Sequence, residues 1–378
     1  MQEEILDMNK AIRISNPSRL CLFGEHQDYL GLEVVAVAIN LRFSAEITPR
    51  EDSIIRIKIR DEKLDTLNCE NTEGLYQEYC TDISKEIVYD SDEDFMRSTI
   101  NVLMKKGYEL SGFDIKMDSE IPIGKGMCSS STMVVAIVKA LLEGIGHPDA
   151  KDPYKIARLA FDAEVAEFGH PGGMMDQYAS ALGGLINLKF ENGTEAFPIE
   201  RKLSGVFILF DSLERKDTLN VLAASKIPTL EGLELLKEYG VQGIHHLAFG
   251  GADVALVDKL DDFRRKKVLT NIDNYKILKK GIELLSSDGD IDEELGRLIY
   301  AHHKNLRDGL GISTATIEKI LDCAIANGAY GGKINGSGGG GCCFVYAPAD
   351  KADDIIKAVE KLGYPGKVLK QDTGVRVD

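Results

Sequence analysis

The apolar positions in the first half of the chain change their spacing several times, and each spacing predicts a different element. Residues 33–39 and 54–60 are rich in β-branched side chains, as is typical of strands. Residues 93–106 carry apolar side chains at helical spacing, whereas residues 112–118 alternate between apolar and polar like a strand. The continuous apolar stretch 133–142 predicts a buried helix.

Strands and helices continue through the second half, again without a strict strand–helix–strand order. A helix is predicted over residues 153–168, with Asp152 as its N-cap and Pro153 at its first position. The pattern then predicts a buried strand at 206–210, a mainly helical region at 230–328, strands at 330–335 and 342–346, a helix at 350–361 and a strand near 367–371. This mixture favours an α+β fold with two domains, residues 1–190 and residues 191–378.

Length, charge and cysteine spacing restrict the class of protein. The 378 residues are too many for one compact core and suit two domains. The formal net charge of −16 disfavours nucleic acid and anionic membranes as partners. The acidic N-terminus lacks the apolar segment of a signal peptide, and the longest apolar stretches reach about half of the ~20 residues that a membrane span needs. Seven cysteines without a C-x-x-C pair indicate reduced thiols, so we expect a cytoplasmic protein.

The strongest chemical signal is the segment Pro122–Thr132, here called the serine loop. Its glycines let the backbone approach a ligand closely, and three serines follow at the start of the apolar helix. A helix N-terminus offers unpaired N–H groups and a partial positive charge, which suit phosphate. The segment lacks the Gly-Lys-Ser/Thr ending of a Walker A loop. Phosphate binding competes with a structural interpretation, in which the serines simply cap a helix.

A second glycine-rich segment, residues 336–341, is here called the glycine loop and lies between two predicted strands. Five of its six residues are glycine, which costs much backbone entropy on folding. A structural hairpin rarely needs more than one or two glycines. The composition therefore indicates close approach of this loop to an anion or to another loop.

Polar residues follow a short apolar strand near the N-terminus, in the segment Pro17–Gly31, here called the first motif. Gly24, Glu25, His26 and Asp28 form its polar cluster. Sugar hydroxyls both donate and accept hydrogen bonds, so such a cluster suits a polyhydroxylated ligand. An ordinary turn with solvated acids is the alternative interpretation.

The first motif, the serine loop and the glycine loop, in this order, resemble the three signature motifs of the GHMP kinases. The serine loop matches the family pattern P-x-x-x-G-L-S/G-S-S-A at Gly126, Ser129 and Ser130, and the glycine loop, extended to Cys342, matches T-G-x-G-G-G-G-C. The resemblance spans most of the chain. It implies a two-domain GHMP kinase fold, with a ribosomal-protein-S5-like N-terminal domain and a ferredoxin-like α/β C-terminal domain.

Within this superfamily the chain is most similar to the galactokinase branch. Residues 24–29 read G-E-H-Q-D-Y, which is similar to the galactokinase signature G-E-H-T-D-Y-N-G-G. Mevalonate kinases share the G-E-H part but lack the Asp two places later. Glu164 precedes Asp176 by twelve residues, the spacing that galactokinases keep before their G-I-M-D-Q segment.

The chain also departs from the galactokinase pattern. Gln27 replaces a threonine, Leu30–Leu32 replaces Asn-Gly-Gly, and Cys128 stands where Ser or Gly is usual. No obvious tyrosine follows the predicted strand 206–210, where galactokinases contact the sugar. The stretch 328–341 additionally resembles heptose kinases of the same superfamily.

The resemblance implies a role for individual residues. Asp176 would lie beside the anomeric hydroxyl of a sugar and accept its proton, and the nearby cation Arg19 would keep that carboxylate ionised. Ser130 and Glu164 would bind Mg²⁺. The sugar would be held by Glu25, His26, Asp28 and Gly173, and ATP by Gly124, Gly126, Cys128, Ser129, Ser130, Ser131, Gly338 and Gly339.

We therefore expect an ATP- and Mg²⁺-dependent kinase that converts a monosaccharide, with galactose as first choice, into its 1-phosphate. A kinase of the same superfamily acting on N-acetylgalactosamine, L-arabinose or a heptose is the alternative. A non-catalytic sugar sensor is a third hypothesis, although such sensors carry changes in the serine loop, and Ser129, Ser130, Glu164 and Asp176 are all present here. The expected partners are the sugar and ATP, without nucleic acid or membrane, and the expected assembly is a monomer or homodimer.

Overall fold

The structure is a computed structural model that describes residues 11–60, 76–190, 193–215 and 218–378. Its strands are β1 Ile12–Phe23, β2 Val34–Pro49, β3 Ile54–Arg60, β4 Tyr76–Asp82, β5 Phe113–Ser119, β6 Leu185–Lys189, β7 Glu195–Pro198, β8 Val206–Asp211, β9 Gly331–Ile334, β10 Cys342–Ala347, β11 Gly366–Leu369 and β12 Arg376–Val377. Its helices are α1 Phe95–Lys105, α2 Ser129–Gly144, α3 Pro153–Phe161, α4 Met175–Leu182, α5 Thr218–Leu236, α6 Ile244–Ala248, α7 Asp262–Leu285, α8 Asp292–Asn305, α9 Ala315–Ala326 and α10 Ala352–Glu360. Across the described ranges, no helix is both long and apolar enough to cross a membrane.

Within the described residues the first sheet has eight strands, and it is organised around the long strand β2. Its main order is β12-β1-β2-β5-β3-β4, while β6 also pairs with β2 and carries β7 on its other side. β2 has room for these neighbours because β5 pairs with Phe43–Pro49 and β6 pairs with Val34–Val37. β3 and β5 run parallel, and the other pairs run antiparallel.

The second sheet, in the part of the chain that the structure describes, has four antiparallel strands in the order β11-β8-β10-β9. Helices α9 and α10 cover it, and Ile317 and Ile355 from these helices join Ile208, Phe210 and Val345 from the strands in a buried core. The glycine loop connects β9 to β10, so the predicted order of strand, loop and strand is confirmed. The loop therefore starts from the edge strand of this sheet.

The last residues of the chain return to the first sheet. β12 pairs with β1, and Gln371 and Thr373 form bridges to Ile39 and Gly183. β7, which follows residue 190, also belongs to this sheet. Segments from both sides of the predicted boundary thus build the first sheet, and the division into domains 1–190 and 191–378 stays a prediction.

Helix α2 is buried on most sides because sheet and helices surround it. Residues 134–142 are all buried, and the helix packs on β1 and β2 as well as on α1, α3 and α4. Its sequence is apolar around most of its circumference, which suits such a position. The N-terminus of α2, at Ser129, is consequently held in place by the core of the protein.

The segment predicted as one helix over 153–168 has two parts. Asp152 caps it as predicted, since its side chain accepts hydrogen bonds from two amides of the first turn. α3 ends at Phe161, and a π-helical turn, Asp162–Ala166, continues it. Such turns are often found at functional sites, and this one carries Glu164.

Candidate active site

A cleft of about 450 Å³ collects residues from the first motif, the serine loop and the glycine loop. Its wall is completed by the start of α4 and by the π-helical turn. The cleft is lined by most of the residues singled out in the sequence: Arg19, Glu25, His26, Asp28, Gly124, Gly126, Cys128, Ser129, Ser130, Ser131, Glu164, Gly173 and Asp176. Motifs that are far apart in the chain therefore meet at one site.

Arg19 and Asp176 form an ion pair in this cleft. Arg19 lies on β1 and is buried, whereas the side chain of Asp176, in the first turn of α4, is 29% exposed. Nε and Nη2 of Arg19 lie 2.8 and 2.7 Å from Oδ1 of Asp176, and Nη1 donates to the carbonyl of Gly126 at 3.3 Å. Burial alone would lower the pKa of Arg19, but Asp176 and other nearby groups raise it well above its ordinary value. Arg19 is therefore a permanent cation that fixes one oxygen of Asp176.

Asp28 lies close to this ion pair. The amides of Met175 and Tyr29 donate to its Oδ2 and Oδ1 at 3.2 and 2.9 Å. Burial, followed by the charge of Asp176, raises the pKa of Asp28 to about 6. A Cβ at Gly173 would lie 2.0 Å from Oδ2 of Asp28, so a larger residue at that position would displace the Asp28 carboxylate. The structure thus places Asp28 and Gly173, which were predicted to hold the sugar, close to Asp176, which was predicted to accept its proton.

Glu25 is tied to a lysine that the sequence did not single out. Lys333, on β9, forms an ion pair of 2.6 Å with Glu25, and the two side chains are 0% and 2% exposed. Lys333 also donates to the carbonyl of Cys21 at 3.0 Å. Burial alone would raise the pKa of Glu25, but Lys333 and Arg19 outweigh it and hold the pKa below its ordinary value. Removing one partner of such a pair leaves a buried charge, so Glu25 fastens the first motif to β9.

Both ring nitrogens of His26 also have protein partners. Nε2 lies 2.9 Å from the carbonyl of Ser337, and Nδ1 lies 3.0 Å from the hydroxyl of Tyr29. A carbonyl only accepts, so Nε2 carries a proton. His26 has a left-handed backbone, with φ of 66°. His26 therefore connects the first motif to the glycine loop. Of Glu25, His26 and Asp28, Asp28 is the residue whose polar atoms are least engaged by other side chains.

The serine loop presents backbone N–H groups to the cleft. Gly124, Gly126 and Cys128 all have positive φ, which bends the chain sharply before Ser129 begins α2. In the described part of the chain, no side chain caps the N-terminus of α2. A helix start whose N–H groups lack a protein cap is suited to bind a phosphate.

Glu164 faces the first turn of α2 and has a polar surrounding. The side-chain amide of Gln177 donates to Oε2 of Glu164 at 2.6 Å, and Ser130 and Ser131 also hydrogen-bond to this carboxylate. Burial raises the pKa of Glu164, and these three hydrogen bonds oppose the rise. No cluster of three or more His, Cys, Asp or Glu side chains suited to a metal occurs within residues 11–60, 76–190, 193–215 and 218–378. One carboxylate and a hydroxyl nevertheless fit Mg²⁺, which takes hard oxygen ligands and completes its shell with water and phosphate.

The glycine loop approaches the serine loop rather than open space. A Cβ at Gly336 would lie 2.6 Å from the carbonyl oxygen of Gly126. Asn335 donates to the same carbonyl at 3.0 Å, and its Oδ1 accepts from the amide of Cys21 at 3.1 Å. The amide of Cys342 donates to the carbonyl of Lys125 at 2.7 Å. The glycine loop therefore packs against the serine loop at Gly336, and the residues on either side of it, Asn335 and Cys342, hydrogen-bond to the serine loop.

Gly338 and Gly339 do not line the cleft, although the sequence assigned them to ATP. A Cβ at Gly338 would lie 2.6 Å from Cβ of Ile312, and the amide of Gly339 donates to the carbonyl of Ile312 at 2.7 Å. Gly336 and Ser337 are the members of the glycine loop that line the cleft. The ATP assignment of Gly338 and Gly339 stays a prediction, and these contacts explain their glycines without a ligand.

Several residues that shape the site were given no role from the sequence. Lys333 bonds to Glu25, which is distant along the chain, so no local pattern marks it. Gln177 and Asn335 lie within or beside the matched motifs, and the fold shows that they donate to Glu164 and to the carbonyl of Gly126. Nζ of Lys226, on α5, lies 5.4 Å from the ring centre of Tyr29 and donates to the carbonyl of Pro171 at 3.0 Å. A basic residue in a mainly helical region is too common to be noticed without the fold.

Comparison with protein families adds a second line of observation. Residues 94–184 match the family model of the GHMP kinases N terminal domain, and residues 289–365 match that of the GHMP kinases C terminal. Residues 4–49 match the galactokinase galactose-binding signature. Each of the three matched segments contains one of the motifs that meet in the cleft.

Individual relatives are similar over nearly the whole chain. A galactokinase from Streptomyces coelicolor is 28% identical, covering 91% of this chain and 86% of the relative. A mevalonate kinase from Thermococcus sibiricus is 27% identical, covering 96% and 97%. A D-glycero-α-D-manno-heptose 7-phosphate kinase from Campylobacter jejuni is 28% identical, covering 93% and 94%. Identity of this size does not separate the three activities.

The fold is similar to that of a solved galactokinase. The crystal structure of Lactococcus lactis galactokinase complexed with galactose superposes with a TM-score of 0.81 at 21% sequence identity, covering 98% of this chain and 96% of that chain. The likeness extends over both sheets and concerns the fold.

Proposed function

The chain belongs to the GHMP kinase family, and from this premise we propose that it transfers the γ-phosphoryl group of ATP to the anomeric hydroxyl of a monosaccharide, with galactose preferred. The observation that carries the proposal is the contact of Asp176 with buried Arg19, where the first motif meets the serine loop. The match of residues 4–49 to the galactose-binding signature supports galactose as the sugar.

Asp176 receives the proton of the reacting hydroxyl. The sugar oxygen forms a bond to the γ-phosphorus, the bond from that phosphorus to the β,γ-bridging oxygen breaks, and ADP leaves. Oδ1 of Asp176 is fixed by Arg19, and Oδ2 has no side-chain partner among the described residues, so Oδ2 is the oxygen that takes the proton. The guanidinium of Arg19 also opposes negative charge on the phosphoryl group in transfer.

The serine loop binds the phosphates of ATP. Among the described residues no side chain caps the N–H groups at the start of α2, and these groups carry the positive end of the helix dipole. Ser130 and Glu164 would hold Mg²⁺, which neutralises charge on the phosphates when bound. Phosphoryl transfer needs mainly positioning and charge neutralisation, and a rigid loop anchored by α2 supplies both.

Asp28 provides the sugar specificity, together with the backbone at Gly173. Its carboxylate lines the cleft beside Asp176 and can accept hydrogen bonds from sugar hydroxyls. Glu25 and His26 line the same wall, but their contacts with Lys333 and Ser337 commit them mainly to holding the motif in shape. A site built to bond a hydroxyl discriminates strongly against an epimer that misplaces it.

Another sugar kinase of the superfamily is the second candidate. The heptose 7-phosphate kinase relative is as similar as the galactokinase relative, at 28% identity each. N-acetylgalactosamine and L-arabinose are further sugars that such a site could accept. A non-catalytic sensor is disfavoured, because Ser130, Glu164 and Asp176 are present and lie in one cleft. The cytoplasmic location and the monomeric or homodimeric state stay predictions.

The test is an ATP-consumption assay over a substrate panel. We expect the highest kcat/KM for galactose when galactose, N-acetylgalactosamine, L-arabinose, heptoses, heptose 7-phosphate and mevalonate are compared. A higher value for another sugar would move the assignment within the family. Turnover of mevalonate alone, or of none of these compounds, would contradict the proposed sugar kinase activity.

A further inference from the structure

Ser337 lies where the sugar side and the phosphate side of the cleft meet. Its carbonyl accepts the hydrogen bond from Nε2 of His26, in the first motif. The residue before it, Gly336, touches the backbone of Gly126 in the serine loop. Ser337 itself lines the cleft and is 9% exposed. It occupies the variable position of the pattern T-G-x-G-G-G-G-C, so the family motif does not require a serine there.

The hydroxyl of Ser337 is buried but has no hydrogen-bond partner among the described residues. A hydroxyl that has lost water without gaining a partner destabilises the protein, so buried polar atoms are normally paired. The carbonyl of the same residue, by contrast, has a partner in Nε2 of His26. A ligand in the cleft would supply the missing partner.

We propose that Oγ of Ser337 hydrogen-bonds a hydroxyl group of the bound sugar and thereby helps to set sugar specificity. This inference rests on the proposed function, because it requires a sugar in the cleft. We expect the partner of this hydroxyl to be the sugar because the carbonyl of Ser337 accepts from His26. His26 and its other partner, Tyr29, both belong to the first motif.

The chemistry of the serine hydroxyl favours a sugar over a phosphate. It can both donate and accept one hydrogen bond, as a sugar hydroxyl can, whereas a phosphate oxygen requires donors only. The serine loop already supplies donors through the backbone N–H groups at the start of α2, which no side chain caps within the described residues. Ser337 thus adds to the sugar subsite a group that the ATP subsite does not need.

The chain offers a matched control for this proposal. Ser225, on α5, is also buried at 1% exposure and its hydroxyl also has no partner within the described residues, but it does not line the cleft. Ser225→Ala removes an equivalent hydroxyl without touching the proposed subsite. Any effect that is confined to Ser337→Ala therefore belongs to the cleft.

The experiment compares Ser337→Ala, Ser225→Ala and wild type by steady-state kinetics and by thermal unfolding with and without sugar. The wild-type panel identifies the sugar first, so failure of the proposed function is seen in the wild type alone. We expect Ser337→Ala to raise KM for the sugar about tenfold, with KM for ATP within about twofold of wild type. The Tm of ligand-free Ser337→Ala should equal or exceed the wild-type Tm, because an unpaired buried hydroxyl is gone, while its rise on adding sugar should shrink.

Three results would overturn the inference. The first is an unchanged KM for the sugar in Ser337→Ala when wild type phosphorylates that sugar. The second is a rise in KM for ATP in place of the rise for the sugar, which would make Ser337 a phosphate ligand. The third is a lower Tm of ligand-free Ser337→Ala together with equal rises in KM for the sugar and in KM for ATP, which would show a structural role. Ser337→Gly should then give the same pattern.

Discussion

The serine loop and the glycine loop have similar compositions but different surroundings. A Cβ at Gly124 in the serine loop would meet nothing within 4 Å, whereas a Cβ at Gly336 in the glycine loop would lie 2.6 Å from a backbone oxygen. The first loop ends in a helix start without a side-chain cap, and the second packs on Ile312 and on the first loop. One loop presents its backbone to the cleft, and the other supports it.

A glycine-rich segment indicates that the backbone closely approaches another group, but its composition does not identify that group. Composition left open whether the glycine loop approaches an anion or another loop, and the structure shows that Gly336 approaches another loop. Glycine at a positive φ avoids strain in either case. The two functions can be separated only by what surrounds each backbone.

Asp176 is linked to the serine loop through Arg19, which also donates to the carbonyl of Gly126. Replacing Asp176 should have the largest effect on activity. We expect Asp176→Asn to lower kcat by about 100-fold or more, because the reacting hydroxyl loses its proton acceptor. ATP affinity should stay near the wild-type value, since the serine loop is untouched. The exposed Asp322→Asn on α9 is the control. Retention of more than about a tenth of wild-type kcat would show that Asp176 has another role.

Gly336 tests the support that one loop gives the other. Gly336→Ala should lower the free energy of unfolding by about 3 kcal/mol, because a Cβ would clash with Gly126 and an alanine is strained at φ of 76°. KM for ATP should rise with it, since the clash displaces the serine loop. Chemical denaturation and ATP titration measure both effects. A variant with wild-type stability and wild-type KM for ATP would contradict the supporting role.

Replacing Glu164 tests the Mg²⁺ ligands that we propose beside the serine loop. Glu164→Gln should raise the Mg²⁺ concentration needed for half-maximal activity by about tenfold, because a carboxylate ligand becomes a neutral amide. Ser130→Ala should act in the same direction. Magnesium titrations at saturating ATP provide the measurement, with Ser225→Ala as a control away from the cleft. Curves that coincide with wild type for both variants would remove these residues from the metal site.

Because the pKa of Asp28 is raised, KM for the sugar should depend on pH, whereas KM for ATP should not. Burial and the charge of Asp176 raise the pKa to about 6, so the carboxylate becomes protonated as pH falls through about 6 and loses an acceptor. KM for the sugar should therefore rise several-fold between pH 7.5 and 5.5, with KM for ATP nearly constant. Asp28→Asn should bind sugar weakly but without this pH dependence. A sugar KM that is flat over this range in wild type would argue against a carboxylate contact.

The folded protein holds the proton of Asp28 more tightly than the unfolded chain does. Its stabilising effect is therefore present below the ordinary pKa of 3.8 and is lost as pH rises through about 6. Asp28→Asn should for this reason not lower the Tm at pH 8, where the wild type carries a buried charge. Thermal unfolding at pH 5 and pH 8 separates this effect from the loss of sugar binding.

Gly124 is expected to give the smallest effect and completes the comparison of the loops. Gly124→Ala has no clash to relieve, so only the strain of alanine at φ of 68° remains, about 1 kcal/mol. Its stability loss should be clearly smaller than that of Gly336→Ala under the same denaturation conditions. Equal losses would mean that the two glycines have equivalent surroundings.

Much of the fold could be predicted because many elements carry their own local pattern. The strand at 54–60 has the predicted bounds, and the two strands around the glycine loop lie within one or two residues of their predictions. β1 was only partly predicted, since Pro17 and several polar side chains interrupt its apolar pattern. Those polar side chains are buried and paired, as Asn16 is with the carbonyl of Thr132 at 2.9 Å.

The site could be predicted where it is made of motifs and could not where it depends on distant pairs. Arg19, Asp28 and Asp176 were found through motif resemblance, and they lie together in the cleft. Lys333 was missed because it looks like an ordinary strand residue and its partner, Glu25, lies 308 positions away. Only the fold can bring such a pair together.

The most direct test of the account is the position of the phosphate in the product. Purified protein, ATP, Mg²⁺ and the best sugar of the panel are incubated, and the products are examined by phosphorus NMR. We expect ADP together with a phosphate monoester signal coupled to the anomeric proton of the sugar, and a signal at least about 100-fold weaker with Asp176→Asn after the same incubation time. A phosphate coupled to the protons of a primary hydroxyl group, or ATP consumption without any sugar phosphate, would contradict it.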